Sequence, residues 1–276
     1  MKKPPRSIKG SRLLPVVYFI LRFSVVGVMI AQFFNRNFES FFLCILTLIL
    51  FLIPNFLERK LKIMVPTTLE IIILLFIYAA EILGEIRAYY ITFPHWDAML
   101  HTLNGFLCAA IGFCLVDLLN REKRVTSFSL SPAYMAVVAF CFSMTVGVLW
   151  EFVEASMDHF FLLDRQKDTV IQAFSTVTTD PTGGNHPQLI KDIADVIVVH
   201  SDGSQQALGL GGYLDIGLLD TMMDLVVNFI GAVIFSIIGY FYVKQRGKGI
   251  FARRFIPKVL RDTSEHHRSD PHKPEE

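Results

Sequence analysis

Apolar residues run in long blocks along this chain, and the polar ones fall between the blocks or at regular steps inside them. A helix needs roughly 20 mostly apolar residues to cross about 30 Å of hydrocarbon. Six segments meet that length: Leu13–Phe34, Phe38–Leu57, Pro66–Ile86, Trp96–Leu119, Ser131–Ala155 and Asp215–Val243. The first holds one interior charge, Arg22, and the second holds none. No two-residue alternation marks them as barrel strands, so all six read as helices. The predicted fold class is all-α, a polytopic membrane helix bundle with six transmembrane helices.

The connectors orient the bundle. Lys2, Lys3, Arg6, Lys9 and Arg12 precede the first span, and Arg59, Lys60 and Lys62 follow the second. Arg121, Lys123 and Arg124 follow the fourth, and Lys244, Arg246, Lys248, Arg253 and Arg254 follow the sixth. The remaining connectors are poor in Lys and Arg, so both termini are expected in the cytoplasm. The expected organisation is a basic cytoplasmic tail (1–12), five transmembrane helices (13–155), an extracytoplasmic loop or cap (156–214), a sixth helix (215–243) and a basic, partly disordered cytoplasmic tail (244–276). The first block exceeds the roughly 7–15 residues of a signal h-region and no A-x-A site follows, so it reads as an uncleaved helix. The expected location is a bacterial cytoplasmic (inner) membrane.

Composition sharpens this picture. Charged residues make up 18% of the 276 residues, against about 25% in an ordinary soluble domain. A net charge of +1 offers no basic footprint for nucleic acid. Cys44, Cys108, Cys114 and Cys141 all lie within spans, where packing is their expected role. His266, His267 and His272 belong to a solvated tail.

The outer loop is long for a connector, and loops beyond about 15 residues usually carry function or structure of their own. Its Asp195–His200 stretch is β-branched and predicts a strand, with Ser201, Asp202 and Gly203 as a turn. Thr179–Gly184 reads as a second turn. Together they predict a small cap.

With direction assigned, four spans carry their acids to one leaflet. Glu81 and Glu85 end the third span, Asp97 and His101 begin the fourth, Glu151, Glu154 and Asp158 end the fifth, and Asp220 and Asp224 begin the sixth. At about 100° per residue, Asp97, His101, Asn104 and Cys108 share one stripe. Gly147, Glu151, Glu154 and Asp158 share another, and Asp220, Asp224, Asn228 and Gly231 a third. An acid at membrane depth costs on the order of 2.5–3.5 kcal/mol, so these groups are expected to face one another, water or a cation. Glycines on the stripes would let the helices approach closely. At the other leaflet, Glu70 and Asp117 are expected near the interface, and Arg22 is expected to pair with an acid such as Glu70.

Three motifs carry a resemblance. Trp96–Phe106 is similar to the D-x-x-x-H-x-x-x-G signature of a bacterial membrane-protein family that includes YjdF. Trp150–Glu154 and Gly217–Asp224 resemble that family's WE-x-x-E and D-T-x-x-D segments. More distantly, the pattern resembles VanZ-like proteins. The likeness covers roughly Leu69–Tyr242 and implies a multi-pass inner-membrane protein without a settled activity; the VanZ-like comparison suggests a cell-envelope connection by remote analogy.

Three function classes follow from the residues. In the first, Asp97, His101, Asp220 and Asp224 hold a divalent metal ion, Glu151 and Glu154 serve catalysis, and Glu81, Glu85, Asn104, Asp158 and Asn228 complete the pocket. Carboxylates with one imidazole suit Mg, Mn, Fe or Zn, and a metal-activated water could hydrolyse a lipid or cell-envelope substrate. In the second, the acids relay protons or cations in a transporter. In the third, they are interhelical contacts worth about 0.6–2 kcal/mol each.

Overall fold

A computed structural model describes residues 13–61, 63–121, 130–245, 254–256 and 258–259. The N-terminal basic tail, Lys62, Lys123, Arg124, Arg246, Lys248, Arg253 and the C-terminal tail with its three histidines lie outside the described residues. Among the described residues, five helices are long and apolar enough to cross a membrane. They are α1 (Leu13–Phe34), the Phe38–Lys60 stretch that comprises α2 (Phe38–Leu50) and most of α3 (Ile53–Leu61), α6 (Trp96–Arg121), α7 (Pro132–Phe161) and α8 (Leu218–Lys244). The third expected span takes a different form. It is α4 (Thr67–Tyr78) running directly into a π-helix at Ala79–Ile86, so no single α-helix fills it. Gly84 in the wider-turned segment lies under the Tyr90 ring, where a Cβ would stand 2.3 Å from Cε2. The short helix α5 (Tyr89–Thr92) follows, and Tyr89, Phe93 and Trp96 stack as an aromatic cluster at the start of α6.

The chain divides into two compact units, residues 1–144 with 228–276, and residues 145–227. In the first unit, one apolar cluster joins Leu21 and Val25 of α1, Cys44 of α2, Leu69 and Leu74 of α4 and Leu107 of α6. A second joins Phe113 of α6, Met135 of α7, Phe235 of α8 and Ile256. Strand β1 (Ile63–Met64) pairs antiparallel with β8 (Lys258–Val259), Ile63 facing Val259, which ties the segment after α8 to the connector before α4.

Glu70 and Asp117 are buried, 7% and 8% exposed, because neighbouring helices cover both. Arg22 stacks 4.8 Å over the Tyr18 ring, and the Tyr18 hydroxyl donates to Glu70 Oε1 at 2.8 Å. Tyr18 thus contacts both the cation and the acid.

The second unit carries three antiparallel strand pairs. Strands β2 (Thr169–Ile171) and β7 (Tyr213–Asp215) pair antiparallel, as do β3 (Phe174–Thr176) with β4 (Gln188–Ile190) and β5 (Ile197–Val199) with β6 (Gln205–Ala207). The outermost pair brings the two ends of the loop together, and the two hairpins lie between them in sequence. The β5 hairpin is the strand and turn expected at Asp195–Gly203. Its short, alternating apolar run needs a partner strand, and the Ser201–Gly203 turn supplies one.

Carboxylates hold the loop's turns. Asp180 accepts backbone N–H groups from Thr182, Gly184 and His186 at 2.9–3.0 Å. These donors favour the charged form and lower its pKa to about 2. Asp195 accepts from Val196, Gly209 and Leu210, which pins the Gly209–Gly212 stretch and holds its own carboxyl below the usual range. Asp168 is shifted the other way, by burial first and then by Asp164, Asp215 and Asp158.

Candidate functional site

In the first unit the polar stripe of α6 is a real surface. One helical turn separates Asp97 from His101, and the Asp97 Oδ1 to His101 Nε2 distance is 3.5 Å. The His101 side chain is 8% exposed and that of Asp97 is 28% exposed. A buried imidazole and a half-buried carboxylate therefore share one end of a span-length helix. His is the side chain whose charge changes nearest neutral pH, and its neutral ring is a common metal ligand.

One turn deeper, Asn104 Nδ2 donates to Asn228 Oδ1 at 3.3 Å, and Cys108 Sγ donates to Asn104 Oδ1 at 3.4 Å. Asn228 Nδ2 contacts Met144 Sδ at 3.6 Å. The Ser143 hydroxyl donates to Gly105 O at 2.7 Å. Glycine makes this convergence of α6, α7 and α8 possible. A Cβ on Gly105 would lie 2.1 Å from Asn228 O, and one on Gly231 would lie 2.0 Å from Thr102 O. The close approach expected at Gly231 is present, and Gly105, the last residue of the D-x-x-x-H-x-x-x-G motif, makes a second one; Ser143 and Met144 were not singled out from the sequence. Small and weakly polar residues inside an apolar run carry no charge signal, so only the contacts reveal them. Glu81 and Glu85 lie on the π-helical segment and are half-buried.

In the second unit, Glu151 on α7 and Asp224 on α8 are buried carboxylates, 4% and 3% exposed, and Glu154 is half-buried. Asp158 and Asp220 accept backbone N–H groups of the loop that follows α7. Asp158 accepts the N–H groups of Arg165 and Gln166 at 2.6 and 2.8 Å, and Asp220 Oδ2 accepts that of Lys167 at 2.7 Å. Gln166 Nε2 also donates to the Thr221 hydroxyl. Two acids at the ends of two helices thus grip one three-residue strap. Asp215 accepts the Leu219 N–H at 2.8 Å, satisfying one of the donors left open at the start of α8. The strap falls in the stretch after α7 where Leu162 adopts a positive φ of 55°, a reversal without a glycine or proline to announce it.

Within the first unit, Asp97 and His101 offer a carboxylate and an imidazole, with the hydrogen-bonded amides of Asn104 and Asn228 one turn deeper. No curated protein and no solved structure matches the chain. A family model described as a predicted membrane protein (DUF2238) matches residues 16–245, from within α1 to the end of α8. With five span-length apolar helices and most of its length inside that match, this chain belongs to the DUF2238 family of predicted membrane proteins.

Proposed function

We propose that the protein binds a divalent cation at the outer leaflet of a bacterial inner membrane and uses it on a lipid or lipid-linked envelope substrate. In this reading it crosses the membrane six times, the π-helical segment completing the third span, with both termini cytoplasmic. The observation that carries it is the Asp97–His101 pair, a buried imidazole beside a carboxylate at the end of a span-length helix. In this reading Asp224 of α8 and Glu151 of α7, both buried carboxylates, join Asp97 and His101 as ligands. Glu154 follows one turn further along α7. Asp220, already gripping the Lys167 N–H, would border the site from the loop. A bound cation would lower the pKa of its water, and Glu151 or Glu154 would take or return the proton. The remote analogy of the motifs to VanZ-like proteins suggests the envelope substrate.

The test is metal content and thermal midpoint of the purified protein with and without Mn²⁺, Zn²⁺ or chelator. His101→Ala should lose the bound metal and the cation-dependent rise in Tm. Asp117→Asn, about 24 Å further along α6, should keep the rise whatever it does to the baseline. A wild type that never gains Tm with excess cation, or a His101→Ala variant that keeps the full gain, sinks the reading.

A second reading, proton- or cation-coupled transport, gains from one observation. Glu70 and Asp117 are buried toward the opposite ends of their spans, so acids serve both halves of the helix set. Ion flux in liposomes without metal retention would favour it.

A further inference from the structure

The chain does not simply leave the membrane after α8. Phe106 lies ten residues from Trp96, about 15 Å along α6, and eleven residues from Asp117. It therefore sits near the middle of a roughly 30 Å hydrocarbon layer. Its ring packs edge-on to Phe235 of α8 at 5.1 Å, and Phe235 to Phe113 at 6.1 Å. From Phe235, α8 continues nine residues to Lys244, and Gln245 follows about 15 Å from Phe235 along the axis. Yet Phe255, ten residues later, again meets Phe106, at 5.4 Å and 84°. Ile256 beside it is 1% exposed and belongs to the cluster around Phe113 and Met135, while Arg254 on its other side is exposed. Two residues further, β8 pairs with β1 at the connector before α4.

The segment from Arg254 to Ile256 is not an extension of α8, and its Phe255 ring reaches the bilayer's middle. The backbone of this segment lies within a side chain's reach of that depth, and irregular backbone below the headgroups is tolerated only where protein buries it or where it lines a water-filled cavity. Ile256 meets the first condition. Arg254, charged and exposed one residue away, meets only the second, since a charge in contact with hydrocarbon is costly.

We propose that Arg254–Ile256 is a re-entrant plug: water enters the bundle from the face where α8 ends, reaches Arg254, and is stopped by Phe255 and Ile256 against the Phe106–Phe235 layer. The β1–β8 pairing is the strap that holds the plug in place. This stands independently of any cation at Asp97 and His101. It would give the deep polar contacts at Asn104 and Asn228 a closable route to the side where α8 emerges.

The test uses the full chain with its four cysteines replaced by serine and Tm recorded to show that it folds. Single cysteines at 254, 256 and 245 are exposed to a charged, membrane-impermeant thiol reagent in right-side-out and inside-out vesicles. Arg254→Cys should react from one side only, the side that labels Gln245→Cys, and Ile256→Cys should react at least tenfold more slowly. Phe106→Cys should be nearly silent and become reactive, at least tenfold faster, when Phe255→Ala is added. Phe255→Leu, which keeps most of the bulk, should leave it silent and guards against a general loosening. A cysteine too short to snorkel distinguishes water at depth from a long arginine reaching the headgroups. Failure of Arg254→Cys to react from either side overturns the water-filled entry. Reactivity of Phe106→Cys that ignores Phe255→Ala overturns the plug.

Discussion

Gly105 of α6 and Asn228 of α8 meet backbone to side-chain-free backbone, with room for no atom between them: a Cβ at 105 would stand 2.1 Å from the Asn228 carbonyl oxygen. That oxygen belongs to a helix and cannot rotate away as a flexible side chain would. The same close approach lets Asn104 reach Asn228 at 3.3 Å. Gly105→Ala should therefore destabilise the protein by about 1–3 kcal/mol, the usual cost of overpacking, despite the roughly 1 kcal/mol that alanine gains over glycine in a helix. Gly27→Ala on α1, with nothing within 4 Å of its added methyl, should raise stability or leave it unchanged. Thermal unfolding of both variants in detergent checks the pair, and equal effects at the two positions would refute the close contact.

Tyr18 joins Arg22 and Glu70 on the other side of the same unit. Removing its hydroxyl takes away a 2.8 Å bond to a buried carboxylate, and a hydrogen bond to a charged group is worth about 1.5–3 kcal/mol. Tyr18→Phe should cost an amount in that range while preserving the ring under Arg22. Arg22→Gln should cost less, because the exposed end of the range for a cation over an aromatic ring is about 0.5–1 kcal/mol. Chemical denaturation of the two variants decides the order; a larger loss for Arg22→Gln would mean that the cation, not the hydroxyl, sustains Glu70.

The helices were legible because length and hydropathy suffice for them, and α1, α6, α7 and α8 nearly coincide with the apolar runs that predict them. The π-helical turn at Ala79–Ile86 was not, since it changes hydrogen bonding without changing composition. The Asp97–His101 pair could be read from its spacing of four, which places both on one helix face. The grip of Asp158 and Asp220 on residues 165–167 could not. The three-motif pattern treats every acid on a stripe alike, and only the path of the following loop shows which ones accept backbone N–H groups. The return of Phe255 to Phe106 was equally hidden, because a short basic stretch after a last span reads as a tail.

The grip itself is open to test. Asp158→Ala removes the acceptor for two backbone donors at the start of the strap, and the effect should be local. Protease should cut the 163–168 stretch faster, with a stability loss on the order of 1–3 kcal/mol. A cation-dependent Tm rise, where the wild type shows one, should survive. If Asp158→Ala instead abolishes that rise without exposing the strap, Asp158 belongs among the ligands.

Acid should open the 177–186 turn at a pH set by Asp180. Its carboxyl titrates at about 2 when folded, below the ordinary value near 3.9. For a depressed carboxylate the stabilisation is fully present above the unfolded pKa. It declines as pH falls below about 4 and is gone once pH drops through the folded value near 2. Pepsin, active in acid, should cut this turn much faster at pH 1.5 than at pH 4. Asp180→Ala should be cut readily at both. A cleavage rate that is flat across this window in the wild type would show that the N–H groups of Thr182, Gly184 and His186 do not depend on the charged carboxylate.

The acids of the four spans share one leaflet only in the orientation that the distribution of Lys and Arg sets. Basic residues crowd the N-terminal tail, the connector after the second span, the connector after the fourth and the tail after the sixth, whereas 156–214 holds Arg165, Lys167 and Lys191 among seven aspartates. Basic connectors remain in the cytoplasm, and each intervening span reverses direction, so the loop must lie outside if the six spans are all crossed. Asn185 and Gln245 are both exposed, and they stand on opposite sides in this scheme. In cells expressing a cysteine-free background, Asn185→Cys should react with an impermeant thiol reagent added outside. Gln245→Cys should react only after the membrane is opened. Reaction of both from outside would mean an even number of crossings between them, and with α8 as the only span-length helix in that interval it would remove α8 from the membrane. Protection of Asn185→Cys with labelling of Gln245→Cys would invert the bundle, moving Asp97, His101, Glu151 and Asp224 to the cytoplasmic leaflet and ruling out an envelope substrate approached from outside.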